Sequence, residues 1–68
     1  MISIVARPAT RCVAIVLTAW DKAGEIIDIV ELAGDAAGEL VQRTRSQTQL
    51  LPGVHRVTLN RVHEEHKQ

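Results

Sequence analysis

Aromatic residues are nearly missing from this chain. Trp20 is the one aromatic side chain in 68 residues, with no Phe and no Tyr. The core must therefore be aliphatic, assembled from Ile, Val, Leu and Ala. Cysteine is almost as scarce. The single Cys12 excludes an intramolecular disulfide framework, so nothing requires an oxidising compartment. Its ordinary role is that of a small apolar strand residue rather than a reactive thiol. An excess of either charge is lacking too, because 8 basic side chains balance 8 acidic ones. That argues against nucleic acid or an anionic membrane as a partner held by bulk charge. No apolar run approaches the length of a membrane-spanning helix. The segment MISIVAR has no basic stretch ahead of its short apolar run and does not read as a signal peptide. The expected location is the cytoplasm. A chain of this length forms one small domain, and it buries only about 60% of its unfolded surface, which makes it marginal alone.

Recognisable catalytic apparatus is also missing. His63 and His66 have a spacing that can place two imidazoles on one side of a helical turn, but no third ligand accompanies them. A solvated tail is the simpler reading, and no metal is expected. His55 reads as a strand-entry residue, with no Ser or Cys nucleophile assigned beside it. Asp28 and Glu31 fall on opposite faces of one strand and cannot act as a carboxylate pair. Arg43 and Arg45 read as part of a solvated helix face. The run Gly34-Asp35-Ala36-Ala37-Gly38 is neither a dinucleotide-binding fingerprint nor a phosphate loop. No enzyme activity and no cofactor are expected.

What is present is a pair of β-leaning runs, Cys12 to Trp20 and Glu25 to Leu32, around Asp21-Lys22-Ala23-Gly24. Val13, Ile15, Val16, Leu17, Ile26, Ile27, Ile29 and Val30 are mostly β-branched and suit a pleated surface. Asp favours the start of a turn, and Gly accepts positive φ. Glu25, Asp28, Glu31 and Asp35 recur at helical spacing, so residues 22 to 33 also fit an amphipathic helix. Gly24 and the clustered isoleucines favour the strand. With an even-length loop, Val13, Ile15, Leu17, Ala19, Ile26, Asp28, Val30 and Leu32 share one face. That face is expected to be the core. Cys12, Ala14, Val16, Thr18, Trp20, Glu25, Ile27, Ile29 and Glu31 share the other.

A helix is expected over residues 35 to 51, with Asp35 as N-cap and Glu39 in the first turns, paired with Arg43. Ala37, Leu40, Val41, Thr44, Thr48 and Leu51 form its expected buried face, packed on Val13, Ile15, Leu17, Val30, Leu32, Val57 and Leu59. Pro52-Gly53 stops the helix. Val54 to Val62 reads as a last strand, with His63 to Gln68 a polar tail. Met1 to Ala6 reads as an edge strand or an arm, broken by Pro8. The expected fold class is α+β in the order (β)ββαβ: an antiparallel sheet of three or four strands with one helix on one face.

One helix covers one face only. The other carries Val16, Trp20, Ile27, Ile29 and Glu31, flanked by Arg56 and Asn60, and is too apolar to be left in water. It is the expected site for another protein or peptide, and homodimerisation through the sheet is the simplest way to cover it. Trp20, at the hairpin tip, is expected to reach a partner with its indole N–H near water, or else to fold back over the helix end.

The stretch Gly24-Glu25-Ile26-Ile27-Asp28-Ile29-Val30-Glu31-Leu32, a following helix, then Pro52-Gly53-Val54-His55-Arg56-Val57-Thr58-Leu59 and a His/Glu-rich end resembles the NapD-type chaperones that mature periplasmic nitrate reductase. The resemblance implies a ferredoxin-like βαββαβ fold and a sheet surface that binds a twin-arginine signal peptide. The first helix of that family has no counterpart in Met1 to Arg11. A small phage-type inhibitor of a host protein complex, anti-CRISPR-like in role, would use the same compact layout. An ACT- or Lrp-like effector module, a dimer with ligand at its interface, is the alternative from a different class.

Overall fold

The computed structural model describes residues 10–65. The chain runs β1 (Thr10–Trp20), β2 (Ile26–Ala33), α1 (Gly38–Gln49) and β3 (Arg56–Glu65). The class is α+β: a three-stranded antiparallel sheet in the order β2-β1-β3 with one helix. Strand β1 is antiparallel to both neighbours, so β2 and β3 run parallel, with β1 between them and α1 as the crossover. The possible fourth strand, Met1 to Ala6, lies outside the described residues.

The segment from Lys22 to Ala33 is turn and strand, and the helical alternative does not form. The turn is closed by Asp21. Its N–H donates to the Glu25 carbonyl at 2.8 Å, and its carbonyl accepts from Gly24 at 3.1 Å. Its carboxylate accepts the Glu25 N–H at 2.8 Å. Gly24 has φ 84°, in the left-handed region that glycine enters without steric cost.

Two irregularities modify the expected faces. On β2, Ala19 faces Asp28 but Trp20 faces Ile26, which leaves Ile27 as an inserted residue. The even-loop assignment put Ile26 on the core face. The bulge instead sets Ile26 opposite Trp20. On β1 the register shifts between Cys12 and Ala14, which frees Val13 from its β3 partner. Val13 is consequently exposed rather than packed under the helix.

The core is small. Leu17 has 0% exposure, and Ile15, Ala19 and Val57 are buried on the same face of the sheet, with Val41 and Thr48 contributed by α1. The helix packs on β1 and β3. Its inward stripe is Val41, Thr44, Arg45 and Thr48, at the i, i+3, i+4, i+7 spacing of one helix face. Leu40, expected inside, is 43% exposed, and Leu51 and Ala37 are exposed as well. The physical reason is the helix's position. It lies over the central and β3 strands, so Leu40 falls at the margin of the contact, and Val30 and Leu32 on β2 are only half-buried. The Thr48 hydroxyl donates to the Thr44 carbonyl at 2.8 Å, which satisfies a polar group in the core.

The helix is shorter than the expected 35 to 51. Asp35 sits in a turn closed by the Ala36 N–H on the Ala33 carbonyl, 3.0 Å. The N-cap is Ala37, with no side-chain cap. Glu39 and Arg43 do not pair. Among the described residues the side-chain ion pair is Arg11–Glu64, 3.5 Å and well exposed, a contact that contributes little to stability. The expected polar tail begins later than Val62, because His63 and Glu64 continue β3 opposite Cys12 and Arg11.

Candidate protein-binding face of the sheet

Strand alternation and the two registers place Val16, Thr18 and Trp20 of β1 beside Ile29 and Glu31 of β2 and Arg56, Thr58, Asn60 and Val62 of β3. All lie on the face opposite the helix. Among the described residues no element covers them. Ile26 is 53% exposed, Ile29 56% and Val62 46%. Val16 and Trp20 are half-buried, and Arg56, Asn60 and Glu31 are exposed.

Trp20 organises this surface. Its indole leans across towards β3, where Nε1 donates to the Thr58 hydroxyl at 2.8 Å. Thr58 faces Thr18 in the register, and Thr18 is buried beside it. The Arg56 guanidinium lies over the ring, 5.5 Å from its centroid, within cation–π range. The indole N–H is therefore bonded inside the sheet rather than left near water. The ring lies on the face away from the helix and does not fold over the helix end. A fixed indole beneath an arginine and beside Ile26 is a preformed anchor at low entropic cost.

Of the seven expected residues, six share this face: Val16, Trp20, Ile29, Glu31, Arg56 and Asn60. Ile27 departs. It is the inserted residue of the bulge, and its Cδ1 lies 3.8 Å from where a Cβ would stand on Gly53, in the connection between α1 and β3. Ile26 and Val62 belong to the surface and were missed. Val62 had a legible signal, the alternation Arg56, Thr58, Asn60, Val62. Ile26 had none, because the bulge that moves it is not encoded in the strand period.

A recess of about 330 Å³ lies where the hairpin opens, lined by Arg11, Cys12, Val13, Ala33, Gly34 and Asp35. Cys12 is half-buried, and its thiol is 3.4 Å from the Ala14 carbonyl. No cluster of three metal-ligating side chains occurs among the described residues, and no described helix is long and apolar enough to cross a membrane. His63 is exposed on β3. His66 lies outside the described residues.

No family model matches the chain, and no curated protein or solved structure matches it.

Proposed function

We propose that the chain is a non-enzymatic protein-binding module that uses the helix-free face of its sheet. One observation carries the reading: Ile26 and Ile29 remain exposed beside a fixed Trp20, and Val62 further along β3, on a face that no described element covers. A domain this small gains little by leaving such side chains in water, and contiguous apolar surface on a monomer commonly marks a partner site. The occupant is a protein segment with apolar side chains at alternate positions.

The NapD-type resemblance supplies a concrete version, an accessory chaperone that holds a signal peptide. Calorimetric titration with a synthetic twin-arginine signal peptide tests it, with the same peptide carrying two lysines as control. Heat with the first peptide, lost in Ile29→Asp, supports the chaperone reading. If neither peptide gives heat, and Ile29→Asp captures the same host proteins as the wild type, the face is not the binding surface.

A further inference from the structure

The backbone directions of the sheet separate its two edges. The Val13 carbonyl accepts from Gly34 at 3.2 Å and the Trp20 carbonyl from His55 at 2.7 Å. Val13 thus faces β2 and Trp20 faces β3. Alternation then turns Ile15, Leu17 and Ala19 towards β2, and Ala14, Val16 and Thr18 towards β3. Through the registers, Ile29 and Glu31 direct their backbone groups to the outer edge of β2. Val57, Leu59, Arg61 and His63 do so on the outer edge of β3.

The β2 edge is guarded. The Ile29 N–H donates to Asp28 Oδ1 at 2.9 Å, so a carboxylate already occupies the middle of that edge and repels an incoming strand's carbonyls. The β3 edge is 10 residues long, with neither proline nor an acidic side chain folded onto its own outward N–H groups among the described residues.

We propose that the outer edge of β3 pairs antiparallel with β3 of a second copy, about a twofold axis at Asn60. The dimer expected through the sheet is thereby assigned to its edge and not its face. A twofold axis perpendicular to the sheet keeps each side chain on its own face, so only registers that pair residues of like parity are allowed. Centred on Asn60, the pairs are Leu59 with Arg61, Thr58 with Val62, Val57 with His63, and Arg56 with Glu64. The outward residues Val57, Leu59, Arg61 and His63 then meet one another, which gives about eight interchain backbone hydrogen bonds. Opposite charges meet at both ends. Arg56 is already fixed over Trp20, and Glu64 is already paired with Arg11. Centring on Arg61 instead sets two arginines face to face, and centring on Leu59 shortens the overlap and loses both ion pairs. The product is a six-stranded sheet with both helices on one side. The helix-free faces join into one surface of twice the width.

Sedimentation velocity on the full chain tests the pairing through a charge-swap cycle. The expected result is a wild-type dimer, a dissociation constant weakened about tenfold or more in Arg56→Glu and in Glu64→Arg, and recovery in the double swap. Arg56 and Glu64 of one chain stand about 26 Å apart along β3, so no contact within the chain can produce that recovery. In a Cys12→Ser background, Asn60→Cys is expected to cross-link on mild oxidation faster than Leu59→Cys, because Asn60 meets its own copy in a close, non-hydrogen-bonded pair. A wild type that stays monomeric at about 100 µM, or a double swap no better than its parents, overturns the proposal. Faster cross-linking of Leu59→Cys overturns the register. Monomers with slowly exchanging amides at Leu59 and Arg61 overturn it in favour of a strand from within the chain. The proposal stands apart from the face reading: Ile29→Asp is expected to leave the dimer intact.

Discussion

Gly34 is the position where one added methyl group is expected to do most damage. It crosses the bulged end of β1, and its N–H donates to the Val13 carbonyl at 3.2 Å. A Cβ there would stand 2.6 Å from the carbonyl carbons of both Cys12 and Val13. These are backbone atoms held by the β1–β2 and β1–β3 ladders, so no side chain can swing aside. The Cys12 carbonyl oxygen would stand closer still, so Gly34→Ala forces the strands apart and breaks the Gly34–Val13 bond. Overpacking of this kind costs about 1–3 kcal/mol and the lost bond about 1 more. A domain of this size seldom has more than about 3–5 kcal/mol of stability, so the variant should lose most of it. Gly38→Ala is the internal control. A Cβ at Gly38 meets nothing within 4 Å, and the same substitution there should stabilise by about 0.4–1 kcal/mol through the unfolded state. Urea melts followed by circular dichroism compare the two. A Gly34→Ala midpoint within experimental error of the wild type would refute the close approach and the local register with it.

The helix face is checked by a pair of truncations: Val41→Ala should cost about 2 kcal/mol and Leu40→Ala less than about 1, as burial predicts, and the reverse order in thermal melts would restore Leu40 to the core. Thr58→Val removes the acceptor of the Trp20 indole and should cost about 1 kcal/mol with a shifted tryptophan emission maximum; unchanged emission would mean that the ring is not held across β3. Ile29→Asp should alter stability by less than about 0.5 kcal/mol, as surface substitutions do, and a larger loss in a urea melt would show that Ile29 is packed rather than waiting for a partner.

The strand period carried most of the architecture. Alternating aliphatic residues from Val13 to Ala19, the Asp21–Gly24 turn and Pro52-Gly53 were enough to place two strands, a helix and a third strand in order. What the sequence could not show is where the period breaks. A bulge adds one residue without changing composition, so Ile26 and Ile27 read as an unbroken strand although only one of them faces Trp20. The expected helix face is right at Val41, Thr44 and Thr48 but too broad at Ala37, Leu40 and Leu51, for a related reason. Residues 37 to 51 offer two overlapping stripes, one through Leu40 and Leu51 and one through Val41, Thr44 and Thr48. The choice between them depends on which strands the helix crosses, a tertiary fact. The tight position of Gly34 is not legible either, because a close approach to another backbone leaves no local signature. The Trp20–Thr58 bond joins residues 38 apart, beyond the reach of any local pattern.

The distribution of burial ties stability to binding in this chain. Helix α1 supplies two buried residues, Val41 and Thr48, and covers the strip around Leu17, Ala19 and Val57. The isoleucines of β2 and the Trp20 surface contribute little apolar burial in the monomer. Burying the exposed half of each would add about 1 kcal/mol, so together they are comparable with the whole stability of a domain this size. A ligand that covers them binds the native state and not the unfolded chain, and at 100 times its dissociation constant it stabilises by about 2.7 kcal/mol. Edge pairing through β3 acts by the same mass action but buries other groups, the outward amides of Val57, Leu59, Arg61 and His63. The two effects therefore separate by their heat capacities. Covering the helix-free face should lower the heat capacity on binding in proportion to apolar area. Pairing the edge, which buries mainly peptide groups, should leave it nearly unchanged or raise it slightly.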